Sequence, residues 1–238
     1  MHTELILTVG QIGVIAFLGI LGATIFRKSF RLSWFVGALL LYALYNFLLT
    51  RAFFAIPNFP PAADWNWLGK SMSLAGMLFV ASLPVFGFRR AGVTHFQHRG
   101  SWQAYLLLAL LCGVFFYMAV SGADGPDDWE TIAFQWTLPG IDEEIFYRGV
   151  LLLAMNEAFT ARVSIIGAPI GYGGLLTSIL FGLAHGMSFG ATGFEFDMMA
   201  FASTGAPSLL LLWIREKTGS VVLPIIGHNV ANGAFTVF

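Results

Sequence analysis

Apolar residues in this chain come in long unbroken runs divided by short polar punctuation. The runs cover roughly residues 5–26, 32–54, 68–88, 102–120, 141–159, 170–187, 198–214 and 221–237. A helix needs ~20 apolar residues to cross the ~30 Å hydrocarbon layer of a bilayer. The runs lack the period-2 alternation of a lipid-facing strand, so the backbone groups are satisfied inside helices and not around a barrel. The pattern predicts an all-α fold, a polytopic transmembrane helix bundle of about eight spans. The breaks fit: Pro57, Pro60 and Pro61 interrupt the second connection, and Asp124, Gly125, Pro126, Asp127 and Asp128 make the fourth a polar loop. Pro139 and Gly140 followed by Asp142 predict a helix start, with the carboxylate capping free N–H groups. With no internal repeat, a single membrane domain is expected, described as N-terminal helices over 1–122 and a core over 123–238.

Composition strengthens this picture. Of 238 residues 57% are hydrophobic and 11% charged, with a mean hydropathy of +0.77, too apolar for a soluble domain of this length. The partner implied is the lipid bilayer. The net charge of -1 points to no partner, and nucleic acid is not expected as one because no basic stripe exists and the Lys and Arg residues sit in small groups at segment ends. The single cysteine, Cys112, cannot form an internal disulfide and is expected to pack. Glu4 precedes the first run and Arg27, Lys28 and Arg31 follow it, the reverse of a secretory signal, so a retained span is expected.

The cations gather in alternate loops. Arg27, Lys28 and Arg31, then Arg89, Arg90 and Arg99, then Arg162, then Arg215 and Lys217 mark one face as cytoplasmic. The other loops carry Arg51 and Lys70 among seven acids. Eight spans would put both termini outside, in a multi-pass protein of the cytoplasmic membrane of a bacterium.

Ionisable groups at membrane depth cost about 2.5–3.5 kcal/mol each on insertion scales, so each needs a partner or a purpose. The densest group is Asp142, Glu143, Glu144 and Arg148. Glu144 and Arg148, four apart with the acid first, are spaced as a helical ion pair, and Glu143 points about 100° away from it. A capped helix start with an interfacial salt bridge accounts for the same residues. His185 closes the sixth run, and His228 lies in the eighth with Asn232 one turn later on the same face. His2, His95 and His98 fall outside the runs. A lone helical histidine is more often a satisfied hydrogen bonder than a catalyst, but here both buried histidines accompany the buried carboxylates. A carboxylate in a low-dielectric site suits a general base acting on water. Histidine can share that proton or bind a metal, and a second histidine with an asparagine can donate to an oxyanion. The formal G-x-S-x-G at Gly186–Gly190 follows a helix and lacks the strand-turn-helix setting, and no H-E-x-x-H is present.

Three motifs carry a resemblance. Glu143, Glu144 and Arg148 form E-E-x-x-x-R, Phe181 and His185 form F-x-x-x-H, and His228 and Asn232 form H-x-x-x-N. In this order the C-terminal half, from about Leu138, resembles the CPBP family of type II CAAX prenyl endopeptidases and bacteriocin-processing or self-immunity membrane proteins. The resemblance implies an intramembrane protease whose catalytic core is 123–238. It implies that Glu143 with His185 activates water, that His228 and Asn232 stabilise the oxyanion, and that Glu144 and Arg148 support the site. Glu143, His185 and His228 could also supply three ligands to zinc, leaving one position for water. The substrate implied is a peptide or membrane protein, prenylated in the family's best-known activity. Prenyl proteins are processed at the cytoplasmic face, whereas the loop charges put Glu143 and His185 on the other. Either the span count or the prenyl substrate must therefore give way.

Two other readings compete. A catalytically silent member would use the same polar core as glue between helices while binding a partner or conferring self-immunity. A proton-coupled transporter would use buried Glu and His as a proton path, but the paired broken helices and inverted repeats of such proteins are not apparent.

Overall fold

The computed structural model describes residues 2–122 and 124–238. The boundary expected between 122 and 123 falls at Ala123, outside the described residues. The chain begins with two long helices, α1 (His2–Ile25) and α2 (Leu32–Leu49), followed by a short left-handed turn, α3 (Arg51–Phe54). Then come α4 (Trp67–Ser82), α5 (Trp102–Ser121) and the short α6 (Trp129–Gln135), started by Asp128 accepting from the backbone N–H groups of Glu130 and Thr131. Helices α7 (Leu138–Glu144) and α8 (Leu152–Ala158) are joined without a break by a π turn, Ile145–Leu151. Next come hairpin β1 (Arg162–Ile165) with β2 (Ala168–Gly171), helix α9 (Tyr172–Gly186), and hairpin β3 (Met187–Gly190) with β4 (Gly193–Phe196). The long α10 (Met198–Thr218) ends at Gly219 in the left-handed conformation that favours glycine, and α11 (Val222–Gly233) closes the bundle.

Among the described residues four helices, not about eight, are long and apolar enough to cross a membrane. They are Thr3–Ile25, Leu32–Leu49, Trp102–Ser121 and Met198–Thr218. The chain is a multi-pass integral membrane protein, but the eight-span expectation is wrong. The reasons are local. Pro84 forces Leu83 into an extended conformation and stops α4 at 16 residues. The run at 170–187 loses its ends to the two hairpins and keeps a 15-residue helix. The last run keeps only 12 residues of α-helix before a 3-10 turn. At 1.5 Å per residue these helices reach roughly 18–24 Å, short of the ~30 Å layer. The 141–159 run is helical as far as Ala158 but carries Asp142, Glu143, Glu144, Arg148 and Glu157, too many charges to face lipid.

That charged helix occupies the centre. All seven residues of its π turn are buried, with Phe146 fully enclosed and stacked on Tyr45 of α2 at 3.8 Å between centroids. Tyr147 meets Phe181 of α9 edge-on at 5.0 Å. The long helices turn apolar side chains outward, as with Phe17 and Ile20 of α1, Leu40 of α2, and Leu110 and Tyr117 of α5. In a bilayer these contact lipid.

Close packing between α8 and α9 depends on Gly173, where a Cβ would lie 2.3 Å from the Met155 carbonyl oxygen. Gly173→Ala is expected to destabilise the protein by about 1–3 kcal/mol through overpacking. The thermal midpoint in detergent checks this; an unchanged midpoint would mean that α9 moves aside freely.

Candidate active site

Three consecutive carboxylates on a helix point in three directions, because each residue turns the chain by about 100°. Each acid at the end of α7 therefore meets a different neighbour. Asp142 is fully buried and accepts hydrogen bonds from Tyr45 Oη at 2.6 Å and Ser73 Oγ at 2.7 Å. It does not cap the helix start, as its position after Pro139 and Gly140 had implied; the preceding Thr137 supplies no side-chain cap either. The Lys70 ammonium of α4 lies 3.2 Å from Asp142 Oδ2 and 2.5 Å from Glu143 Oε1, so one cation serves two acids. Glu143 Oε2 is buried and has no hydrogen-bond partner.

Glu144 turns the other way. Its Oε1 accepts from Arg148 Nη1 at 2.9 Å, the ion pair that the spacing predicts, and lies 2.8 Å from His228 Nδ1. Glu144 is fully buried and Arg148 nearly so. The guanidinium also sits 4.5 Å from the centre of the Phe181 ring, a cation-π contact. That ring is 4.6 Å from His185 and 5.8 Å from His228. The phenylalanine of F-x-x-x-H is therefore the packing surface between both histidines and Arg148.

His228 reaches across from α11, its Nε2 3.9 Å from Glu143 Oε2. A carboxylate only accepts, so Nδ1 carries the proton toward Glu144 and Nε2 faces Glu143. His185 Nδ1 lies 2.9 Å from the Phe181 carbonyl oxygen, one turn back on α9. By the same rule Nδ1 donates, which leaves Nε2 of neutral His185 with a free lone pair. Helix α11 is docked by Asn229, whose Oδ1 accepts from the Gly140 N–H at 3.0 Å; a Cβ on Gly140 would lie 2.2 Å from that oxygen.

Three cavities converge on these groups. A polar one of about 690 Å³ opens past Asp127, Thr131 and Gln135 and reaches Lys70, Glu143, His185 and Asn232. A mostly apolar one of about 200 Å³ lies against Leu111, Phe115 and Leu211 and reaches His185, His228 and Asn232. A third, also about 200 Å³, runs between α1, α2 and α9 to Glu143 and His185.

Glu143, Glu144, Arg148 and His228 thus form one cluster, and His185 and Asn232 share its cavities. Lys70 and Tyr45, outside every motif, complete it. Lys70 was legible as a cation inside the predicted run 68–88, though it was grouped with loop charges.

The three-ligand zinc expectation finds no matching geometry: among the described residues no three His, Cys, Asp or Glu side chains are arranged to hold a metal ion. Glu143 Oε1 is taken by the Lys70 ammonium, and a dication beside that cation would be repelled.

The fold and the site define a multi-pass membrane protein with an ion-paired, cavity-lined Glu-His centre. The family model "Type II CAAX prenyl endopeptidase Rce1-like" matches residues 125–234, and this assigns that stretch, α6 to α11 with the centre's glutamates and histidines, to the Rce1-like CAAX protease family. No curated protein and no solved structure matches the chain significantly.

Arg148→Met strips the buried Glu144 of its cation and is expected to cost about 3–5 kcal/mol of stability, the usual loss when one partner of a buried pair is removed. Arg148→Met combined with Glu144→Gln should recover most of it. Denaturant unfolding in detergent reads both, and simple additivity would show that the pair is not coupled.

Proposed function

We propose that this chain is an intramembrane endopeptidase of the CAAX type, with residues 123–238 as its catalytic core and residues 1–122 as the helices that frame it. One observation carries the reading: Glu143 has one oxygen held by Lys70 and the other unpartnered, in a cavity that it shares with His185. A carboxylate so arranged is oriented by the ammonium and keeps a free lone pair for a water molecule.

In this mechanism Glu143 Oε2 takes a proton from water as the water oxygen attacks the scissile carbonyl carbon. His185 Nε2 accepts a hydrogen bond from the same water and aligns it. The carbonyl oxygen becomes an oxyanion and receives hydrogen bonds from Asn232 Nδ2 and from the His228 imidazole. Glu143 then passes its proton to the leaving nitrogen as the C–N bond breaks, giving a carboxylic acid and an amine. Proton transfer by a placed side chain contributes about 10²–10⁴-fold, and an oxyanion donor about 10²–10³-fold.

The substrate in this reading is the C-terminal peptide of a prenylated protein, or another membrane-associated peptide. The apolar cavity beside His228 and Asn232 supports it, since its walls at Leu111, Phe115 and Leu211 suit an apolar chain next to the scissile bond.

Purified protein in liposomes is expected to cleave a prenylated C-terminal peptide or a member of a membrane-peptide library. Glu143→Gln and His185→Ala should lower kcat by about 10²–10⁴-fold. Asn232→Ala should lower it by about 10²–10³-fold with KM nearly unchanged. Cleavage that survives Glu143→Gln, or no cleavage by folded wild type, would favour a polar core that only binds helices or a partner. Prolonged dialysis against a zinc chelator should leave the rate unchanged; parallel loss of bound zinc and of cleavage would contradict the Lys70-centred site.

A further inference from the structure

Hydrolysis consumes one water per bond cut, and a bound substrate seals the route by which it arrived. In the reading above the substrate lies in the apolar cavity at Phe115 and Leu211; a chain cut within its length also runs on past His185 and Asn232, which that cavity shares with the polar cavity at Asp127 and Gln135. The third cavity also reaches Glu143 and His185 and shares no other lining residue with those two. Its walls come from the N-terminal half of α1, the C-terminal half of α2 and the end of α9, so two of its three sides lie outside the stretch matched to the family.

The lining is polar where these helices are otherwise apolar. On α1, Glu4, Thr8 and Gln11 are spaced i, i+4, i+7 and share one face; on α2, Tyr42, Asn46 and Thr50 do the same at i, i+4, i+8. The α1 stripe descends roughly 10 Å from Glu4 to Gln11 at 1.5 Å per residue. At its foot Gln11 is buried, accepting from Tyr42 Oη at 2.6 Å and donating to the Leu183 carbonyl at 3.2 Å. Interhelical hydrogen bonding accounts for Gln11 and Tyr42. It does not account for Glu4 and Asn46, which belong to the same crevice without bonding across it. The lining holds two carboxylates, hydroxyls and amides, and no cation, so it offers nothing to an anionic peptide terminus and many acceptors and donors to water.

We propose that the crevice between α1, α2 and α9 is the passage that supplies water to Glu143 while substrate occupies the other two cavities. The proposal rests on the hydrolase reading for its purpose, and on the crevice geometry for its existence. It assigns a role to Thr8 and Asn46, which touch no reacting group: they keep the passage wet.

Single cysteines test it in a Cys112→Ser background. Asn46→Cys and Ala184→Cys line the crevice, while Leu40→Cys faces outward from α2 in the lipid region. In lipid nanodiscs, a permanently charged methanethiosulfonate should modify the two crevice cysteines at least tenfold faster than Leu40→Cys. Ala184→Cys as unreactive as Leu40→Cys overturns the passage, whether or not the protein cleaves anything. Modification of Asn46→Cys should then lower kcat at least fivefold with KM unchanged, and reduction with dithiothreitol should restore it, which excludes misfolding. Unchanged kcat in the fully modified protein, or a raised KM at constant kcat, overturns the water role. Absent cleavage by unmodified protein would instead refute the hydrolase reading, and the labelling would still decide whether the crevice is open to water.

Discussion

Everything in this fold answers to the three consecutive carboxylates that end α7. A carboxylate removed from water is costly unless paired and hydrogen-bonded. Helix geometry prevents the three from sharing one partner completely, because they diverge by about 100° steps. The bundle therefore has to bring Lys70 from α4, Tyr45 from α2, Arg148 from the next turn and His228 from α11 to the same centre. Those contacts decide which helices pack around the π turn, and they leave two buried carboxylate oxygens, Oε2 of Glu143 and Oε2 of Glu144, without a hydrogen-bond partner. A π turn in the helix that carries the centre agrees with the tendency of such turns to mark functional sites.

The same constraint sorts the helices. Those of membrane length and apolarity are α1, α2, α5 and α10, and each buries less than a third of its apolar window within the protein. The charged helix and the shorter α9 and α11, which supply the histidines, lie further inside. Water must therefore be brought to a buried centre, and three cavities meet there. The arrangement makes the N-terminal half more than a membrane anchor, because Lys70 and Tyr45 belong to it and touch the acids directly.

How much of this is legible in the sequence depends on the range of the interaction. The Glu144–Arg148 pair follows from spacing alone and is observed at 2.9 Å, and the helix over 102–121 matches its apolar run almost to the residue. That the histidines of the apolar runs accompany the carboxylates follows from the scarcity of ionisable groups there, since each such group needs a partner; that His228 meets Glu144 in particular does not. Long-range choices are less visible. Nothing local says that Asn229 rather than Asn232 would dock on Gly140, or that Lys70 would turn inward from α4. The span count failed for a related reason: hydropathy adds up composition along a run. It does not register that Pro84 ends a helix, that residues 168–171 and 187–190 pair as strands, or that five charges in the central helix forbid lipid contact.

The central claim is that Lys70 and Glu143 act as a unit, and a double-mutant cycle tests it most directly. Wild type, Lys70→Met, Glu143→Gln and the double variant would be compared for unfolding in detergent and for peptide cleavage. The account expects Lys70→Met to be destabilised, the double variant to regain most of that loss with a coupling of roughly 0.5–3 kcal/mol, and all three variants to be inactive. Additive effects on stability, or a Lys70→Met variant that cleaves like wild type, would contradict it.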